Sequence, residues 1–364
     1  MKFIINISVL VAIVFCLRSV AQTNKKVVSD FSDSIVEIYY LKVYNAENCI
    51  KNNKIDSALK YYTDARKIFG AYQVNDRRNV MLCLNNCTDT SILKEWFKYG
   101  YYCAADSIRA EQYMELYQNY IPELIKSDLL STLKQTTKKK WTYIDEHNRI
   151  SKILNPLFDI DQKFHSDSFM NSMNNNIKIS KKQRKVDNKN FKKIIACYKH
   201  FGDFSTNRLN GKNKDAFSAY KSILTHYFFE KENYIKNHEL FIRQVRIGNL
   251  DPRIYAEIVD NYRCDTSQVY GCHTLFCYND TIVVYKLSDL YKSQINKNRS
   301  QIFLQDIETL HNKQVWAWQN YFLYSFETIW FVAPEKSSDT IKEIAEKYKE
   351  RMGPMVVGYT IYTR

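Results

Sequence analysis

The sequence predicts a mainly α fold: pairs of helices at the N-terminal end, a helical bundle in the middle, and a small α+β unit at the C-terminal end. Three observations carry this. Only 8 Gly and 5 Pro interrupt 364 residues, so helix breakers are few. Between residues 187 and 261 apolar side chains recur every three or four positions, the spacing of amphipathic helices. After His273 the period changes to two in "TLFCYNDTIVVY", the spacing of a strand.

The N-terminal end reads as a targeting segment. Met1-Lys2 is a short basic start and Phe3 to Phe15 is almost wholly apolar. Ser19-Val20-Ala21 then places small residues at −3 and −1 before Gln22. This is the plan of a secretory signal peptide over residues 1–21. The apolar run is too short for a comfortable membrane span, and Phe15 stands where a lipoprotein signal needs a small residue before Cys16. The expected mature chain is therefore exported, periplasmic or extracellular, with no transmembrane segment. Losing Lys2 and Arg18 lowers its formal charge from +14 to +12. A diffuse Lys excess favours solubility, and export argues against nucleic acid as a partner.

Residues 22–140 form the first region. "SDFSDSIVEIYYLKVYNAENCIKNN" and "KIDSALKYYTDARKIFG" read as two helices, parted at Asn52-Asn53 and stopped at Gly70. Ala58 and Ala65, seven apart, let the helices approach, while Tyr61, Tyr62 and Phe69 fill the groove between them. This pattern resembles a tetratricopeptide repeat. "SILKEWFKYGYYCAADSIRAEQYMELYQNYI" continues the rhythm. Fewer than about three such repeats do not stand alone, so the region is expected to lean on the rest of the chain. Tetratricopeptide-like helix pairs form grooves for a peptide or protein partner.

Residues 141–186 read as a polar and basic connecting segment, with a helix around 141–154 leading into "ISKKQRK". Such a run is expected to be a solvated helix face. Four helices follow. "NFKKIIACYKHFG" has Phe191, Ile194, Ile195 and Tyr198 on one face and Gly202 as its stop. "NKDAFSAYKSILTHYF" carries Ala216, Phe217, Tyr220, Ile223, Leu224 and Tyr227. "KENYIKNHELFIRQVRIGNL" carries Tyr234, Leu240, Phe241 and Val245 and ends at Gly248-Asn249. "DPRIYAEIVDNYR" opens with Asp251 as N-cap and Pro252 at the first helical position. Short links make this a bundle, with a domain over residues 187–310. Its last part is a β-hairpin turning at Asn279-Asp280. In the tail, residues 311–364, the strands "TIWFVAP" and "MVVGYTIYT" flank the helix "DTIKEIAEKYKERMG".

Residues 187–310 also hold an ordered series of polar and Gly positions: Asp187, Gly202, Gly211, His226, Asp260, "QVYG" from Gln268 to Gly271, and "INKNRSQIFL" with Asn296 and Arg299. This series resembles an uncharacterised family of bacterial domains that often follow tetratricopeptide-like helices. The family pattern has Asp opening a helix, His within a later one, Asp-Arg, then Gln-x-Tyr-Gly-Thr-Gln, and finally Asn-x-x-Arg. Here Asp260 is followed by Asn261, with Arg263 two further on, and the link to Gln268 is shorter. Cys272-His273 replaces Thr-Gln, and Phe303 replaces a Gly. The resemblance implies a helical fold rather than an activity.

Two chemistries suit these residues. Asp260, His226 and His273 suit the acid/base set of a hydrolase site, with Arg263 or Arg299 to hold an anionic group and Gln268 and Tyr270 beside them, since a His near its ordinary pKa exchanges protons at neutral pH. Asp187, Arg263 and Asn296 are the candidate binding residues. Alternatively, Asp260 and Arg299 are structural, because buried polar groups need partners. No nucleophile, base and orienting group can be identified from spacing, so the preferred reading is a binding or scaffolding role at the bacterial cell envelope. Eight cysteines remain after residue 21, an even number that permits disulfides in an exported chain. Their spacing matches no zinc motif, and no motif demands a cofactor. Cys272 and His273, adjacent on what reads as an extended segment, are expected to point to opposite faces, which argues against a thiol catalyst or metal-ligand pair.

Overall fold

The computed structural model describes residues 33–69, 74–89, 91–92, 149–163, 181–201, 216–261, 268–320, 324, 326–327, 330–331 and 340–363. The targeting stretch, most of the second N-terminal helix pair, Gly202, Gly211 and Arg263 lie outside the described residues. Within them the chain is mainly helical with one small sheet near the C-terminal end.

Helices α1 (Asp33–Lys51) and α2 (Ile55–Phe69) are joined by a three-residue turn. Asn53 takes φ 55°, and the Lys54 N–H returns to the Cys49 carbonyl at 2.8 Å. An Asn tolerates this left-handed position, which closes orphan carbonyls at the end of α1. Val36, Tyr40 and Val43 of α1 share a core with Ala58, Tyr62 and Ala65 of α2. Helix α3 (Val74–Asn85) adds Val80 and Cys83. Thr88, just past α3, donates its hydroxyl and its N–H to Asp56 at the start of α2, at 2.6 and 3.0 Å. The region does lean on the rest of the chain, because Ala317, Tyr324 and Phe326 complete its core.

The bundle comprises α4 (residues 149–163), α5 (Lys181–Phe201), α6 (Ala216–Phe228), α7 (Lys231–Arg246) and α8 (Pro252–Asp260). The expected apolar faces enter its core: Phe191 and Ile194, Tyr220 and Leu224, Phe241 and Val245. Each such side chain, fully buried, contributes about 1.5–3 kcal/mol. Two boundaries differ from expectation. Helix α4 runs to residue 163 and places Ile150, Leu154 and Leu157 in the bundle core, so much of the expected connector packs as bundle. Helix α5 begins at Lys181 rather than Asp187, since "KKQRKV" contains no breaker and good helix formers. Asp187 therefore lies in the second turn and is buried.

The C-terminal unit contains β1 (Leu275–Tyr278), β2 (Thr281–Leu287), α9 (Asp289–Ser300), α10 (Ile307–Gln319), β3 (Trp330–Phe331), α11 (Ile341–Met352), a 3-10 turn at Gly353–Met355 and β4 (Val356–Thr363). The sheet order is β3-β1-β2-β4. The hairpin pairs Leu275 with Val284 and Tyr278 with Thr281, leaving Asn279-Asp280 as the turn, with Asn279 at φ 51°. Strand β4 is antiparallel to β2, with an irregularity at Lys286/Leu287, and β3 is parallel to β1. Phe276, Val283 and Tyr285 pack on Ile344, Tyr348 and Met352 of α11. Leu275, Cys277 and Ile282 pack on Trp318 of α10. Helix α11 starts with a Thr340/Glu343 capping box and ends at Gly353, φ 52°.

Helices α9 and α10 are not anticipated by the sequence reading. Helix α9 buries only Ile295 and Arg299, and the stripe of α10 is broken by Lys313 and Gln314. Both lack the apolar periodicity by which a helix is recognised.

Candidate functional site

Asp260 is the last residue of α8 and is fully buried. Its carboxylate accepts three backbone N–H groups from the next loop: Val269 at 2.8 Å, Tyr270 at 3.0 Å and Cys272 at 3.1 Å. A carboxylate committed to several backbone donors shapes a loop. The loop has a second internal tie, Gln268 Oε1 accepting the His273 N–H at 3.0 Å, while Gln268 Nε2 faces the Met352 sulfur at 3.9 Å. Gly271 sits at φ 76°, and a Cβ there would lie 3.1 Å from Ile307 Cδ1 and 3.2 Å from Ile295 Cγ2. Both the left-handed backbone and the close approach require Gly.

Arg299 of α9 closes the loop from the other side and is fully buried. Its guanidinium donates from Nη1 to the Tyr270 carbonyl (2.9 Å), from Nε to the Gln305 carbonyl (2.5 Å) and from Nη2 to Glu327 (2.7 Å). Burial works against its charge, but Glu327, Cys272 and Tyr44 together outweigh this and raise its pKa. Tyr270 is buried edge-on to Tyr255, with centroids 5.8 Å apart. Burial, first of all, pushes the Tyr270 phenol well above its ordinary range. Asn296 accepts the Ile307 N–H at 2.9 Å and donates to Glu308 at 3.4 Å, fixing the start of α10.

His226 is not part of this group. Its Nδ1 lies 2.7 Å from Asp161 Oδ2, joining α6 to α4. That contact is close in distance but not aligned as a hydrogen bond. Asp187 is buried in α5. The structure thus brings Asp260, Gln268, Tyr270 and Arg299 together around one loop and places His226 and Asp187 in the bundle. Two histidines lie at the loop, His273 within it and His311 beside it. The single hydroxyl proton of Thr274 goes to the Gly271 carbonyl at 2.6 Å, so its 2.8 Å contact with His311 Nε2 is one that Thr274 accepts. This fixes the neutral Nε2–H tautomer. Burial, then Arg299, lowers the His311 pKa to about 4.

A second network, between the N-terminal helices and the bundle, was missed by sequence reasoning. Arg253 of α8 forks onto its own N-cap, with Nε 3.0 Å from Asp251 Oδ1 and Nη2 2.8 Å from Oδ2, and its Nη1 reaches Asp76 of α3 at 2.7 Å. Tyr39 donates to the same Asp76 at 2.7 Å. Lys313 of α10 donates to Glu47 of α1 at 2.6 Å and also to Gln305 Oε1. Tyr44 donates to the Phe303 carbonyl at 2.7 Å. Gln305 therefore joins this network to Arg299. Burial raises the pKa of Glu47 and of Asp76 even though cations lie beside them. Arg253 is held well above its ordinary value because Asp251 and Asp76 outweigh the effect of burial.

A signal for this network exists in the sequence. Glu47 stands on the α1 stripe between Val43 and Ile50, and Lys313 on the α10 stripe between Leu310 and Ala317. A charged residue on an apolar stripe implies a buried partner of opposite sign.

Cys83, Cys87 and Cys272 offer little reactivity. Cys49, Cys83, Cys87, Cys197 and Cys272 carry free thiols, Cys277 is buried on β1, and Cys103 and Cys264 lie outside the described residues. Burial pushes Cys83 and Cys87 up to about 12, and burial with Asp260 pushes Cys272 well up. Such thiols resist ionisation and are poor nucleophiles. Among the described residues no group of three or more His, Cys, Asp or Glu could hold a metal ion, and no helix is long and apolar enough to cross a membrane. No family model, curated protein or solved structure matches this chain.

Proposed function

We propose that this chain is a binding or scaffolding protein of the bacterial cell envelope, exported by its N-terminal segment, that presents its N-terminal helices to a peptide or protein partner. The observation that carries this is the outer face of α1. Ile35, Ile38 and Leu41 are 38%, 47% and 56% exposed on a helix whose other face is buried. Apolar side chains three apart on an exposed face are anchors for a partner. The rigid footing of α1 supports the reading, since Glu47 and Tyr44 tie it to α10 and to the Phe303 turn.

Hydrolysis finds less support. Asp260 spends its carboxylate on three backbone donors, and His226 pairs with Asp161 in a different part of the bundle. A general base needs reach to a substrate proton.

Peptide-library panning on the chain and on an Ile38→Lys/Leu41→Lys variant tests the reading. Sequence-related apolar peptides should be enriched by the first and lost by the second, with helical circular dichroism unchanged. No enrichment, or enrichment indifferent to the variant, rejects it. Turnover in a broad hydrolase screen that Asp260→Asn abolishes favours the hydrolase instead.

A further inference from the structure

Helix α5 carries eight Lys and Arg against a single Asp, half of the chain's formal +14. Its cations are not spread around the helix. At 3.6 residues per turn, Lys181, Lys182, Lys185, Lys189, Lys192, Lys193 and Lys199 fall within an arc of about 120°, and all seven are exposed. Phe191, Ile194 and Cys197 occupy the opposite side, in the bundle core. The one acid, Asp187, is buried on that inner side and does not neutralise the outer face. Arg184 stands off the arc and pairs with Glu230 at 2.6 Å. Among the described residues, Lys181, Lys185, Lys189, Lys192, Lys193 and Lys199 have no ion-pair partner. Like charges at i,i+4, as in Lys181/Lys185/Lys189/Lys193, repel and weaken a helix. An anionic surface relieves that repulsion.

We propose that the lysine face of α5 docks the protein onto an anionic lipid bilayer, against the phosphates of its headgroups. The helix is roughly 30 Å long, so the lysines form a straight row that meets a plane of phosphates along its whole length. No apolar side chain larger than that of Ala196 projects among them, so contact is electrostatic and stays at the surface, without the insertion of an amphipathic membrane helix. Lys supplies hydrated point charges rather than the bidentate fork of Arg. Apart from His200, the face carries no exposed ring, and none of Phe, Tyr or Trp, on which single-stranded bases stack. A bilayer fits this surface better than a nucleic acid does. The inference is independent of the partner surface on α1.

Vesicle co-sedimentation tests it, using the chain from Gln22. That form keeps every described residue and omits an apolar start that would itself enter lipid. Vesicles of phosphatidylcholine with and without phosphatidylglycerol are compared at low and high salt. Three proteins are compared: wild type, Lys185→Gln/Lys189→Gln/Lys192→Gln, and a control with the same charge removed elsewhere, Lys54→Gln/Lys297→Gln/Lys342→Gln. Wild type should bind only the anionic vesicles and release in high salt. At roughly one headgroup-adjacent charge's worth each, the α5 variant should bind on the order of 100-fold more weakly. The control should change less than about threefold, because scattered charges are screened beyond a Debye length. Equal loss in both variants would show diffuse charge and overturn the proposal. So would indifference to vesicle charge, or tighter binding to a single-stranded oligonucleotide than to anionic vesicles at the same salt. Unchanged circular dichroism confirms that each variant is folded.

Discussion

Arg253 Nη1 lies 2.7 Å from Asp76 Oδ1, across 177 positions of sequence, with both side chains withdrawn from solvent. This ion pair fastens the N-terminal helices to the bundle. Arg253 is also held by its own N-cap Asp251, so one guanidinium serves both a helix start and an interface between two cores.

Removing it strands two buried carboxylates. Arg253→Met is expected to cost about 3–5 kcal/mol, the usual penalty for breaking a buried pair from one side. Adding Asp76→Leu should recover part of that loss, since one orphaned charge is then gone. Urea unfolding at constant m-value measures both. A loss below about 1 kcal/mol for Arg253→Met would mean the network carries little of the docking.

Asp260→Ala leaves the N–H groups of Val269, Tyr270 and Cys272 without their acceptor. The expected cost is about 1–3 kcal/mol for each donor that stays buried and finds no water. Hydrogen exchange locates the effect: those amides should speed up while those of β1 stay protected. Unchanged exchange at Val269 and Tyr270 would refute the assignment of Asp260 as organiser of the loop.

Phe303 has φ 62° in the turn after α9, a left-handed position that favours Gly. Its ring packs against both the bundle core and the N-terminal core, and its carbonyl holds Tyr44. Backbone and side chain thus pull in opposite directions. Phe303→Ala and Phe303→Gly both lose the ring, but Gly also relieves a left-handed strain of about 1–2 kcal/mol. The Gly variant should therefore melt higher than the Ala variant, the reverse of the order at ordinary positions. The ordinary order in thermal melts would show that the turn is unstrained.

The pH dependence of stability follows from His311. Its folded pKa, about 4, lies below its ordinary 6.5, so between those values the unfolded chain binds more protons. The contribution of neutral His311 is whole above about pH 6.5 and lost by about pH 4. It amounts to roughly 2–3 kcal/mol. Burial lowers His273 in the same direction, whereas the raised carboxylates of Glu47 and Asp76 oppose it as pH falls. The test is therefore a difference. His311→Gln keeps a donor for Thr274 and should flatten the loss of stability between pH 6.5 and 4. Parallel curves for the two proteins would exclude His311 as the titrating group.

Much of the bundle was legible in the sequence because local rules decide it. Asp251-Pro252 opens α8, Gly248 reverses the chain after α7, and the spacing of Tyr220, Ile223 and Leu224 marks the buried side of α6. The hairpin at Asn279-Asp280 was legible for the same reason. Helices α9 and α10 were not, since α9 turns mostly polar residues to solvent and α10 puts Lys313 where an apolar residue is expected. Grouping the polar candidates was only partly legible. Asp260, Gln268, Tyr270 and Arg299 meet at one loop, while His226 finds Asp161 on a helix that reads as connector.

The sequence by itself determined the helical class, the ends of elements such as α2, α8 and the β1-β2 hairpin, and the apolar face that each helix it marked buries. These follow from backbone conformation and periodicity, which act over a few residues. Only the tertiary structure decided what the polar residues do. Whether a carboxylate such as Asp260 or Asp76 is an acid, a ligand or a brace depends on which donors reach it. Those donors, Tyr270 in one case and Arg253 in the other, are brought there by packing between distant elements. Charge is neutralised by whatever lies within a few ångströms, and no local pattern encodes that neighbour.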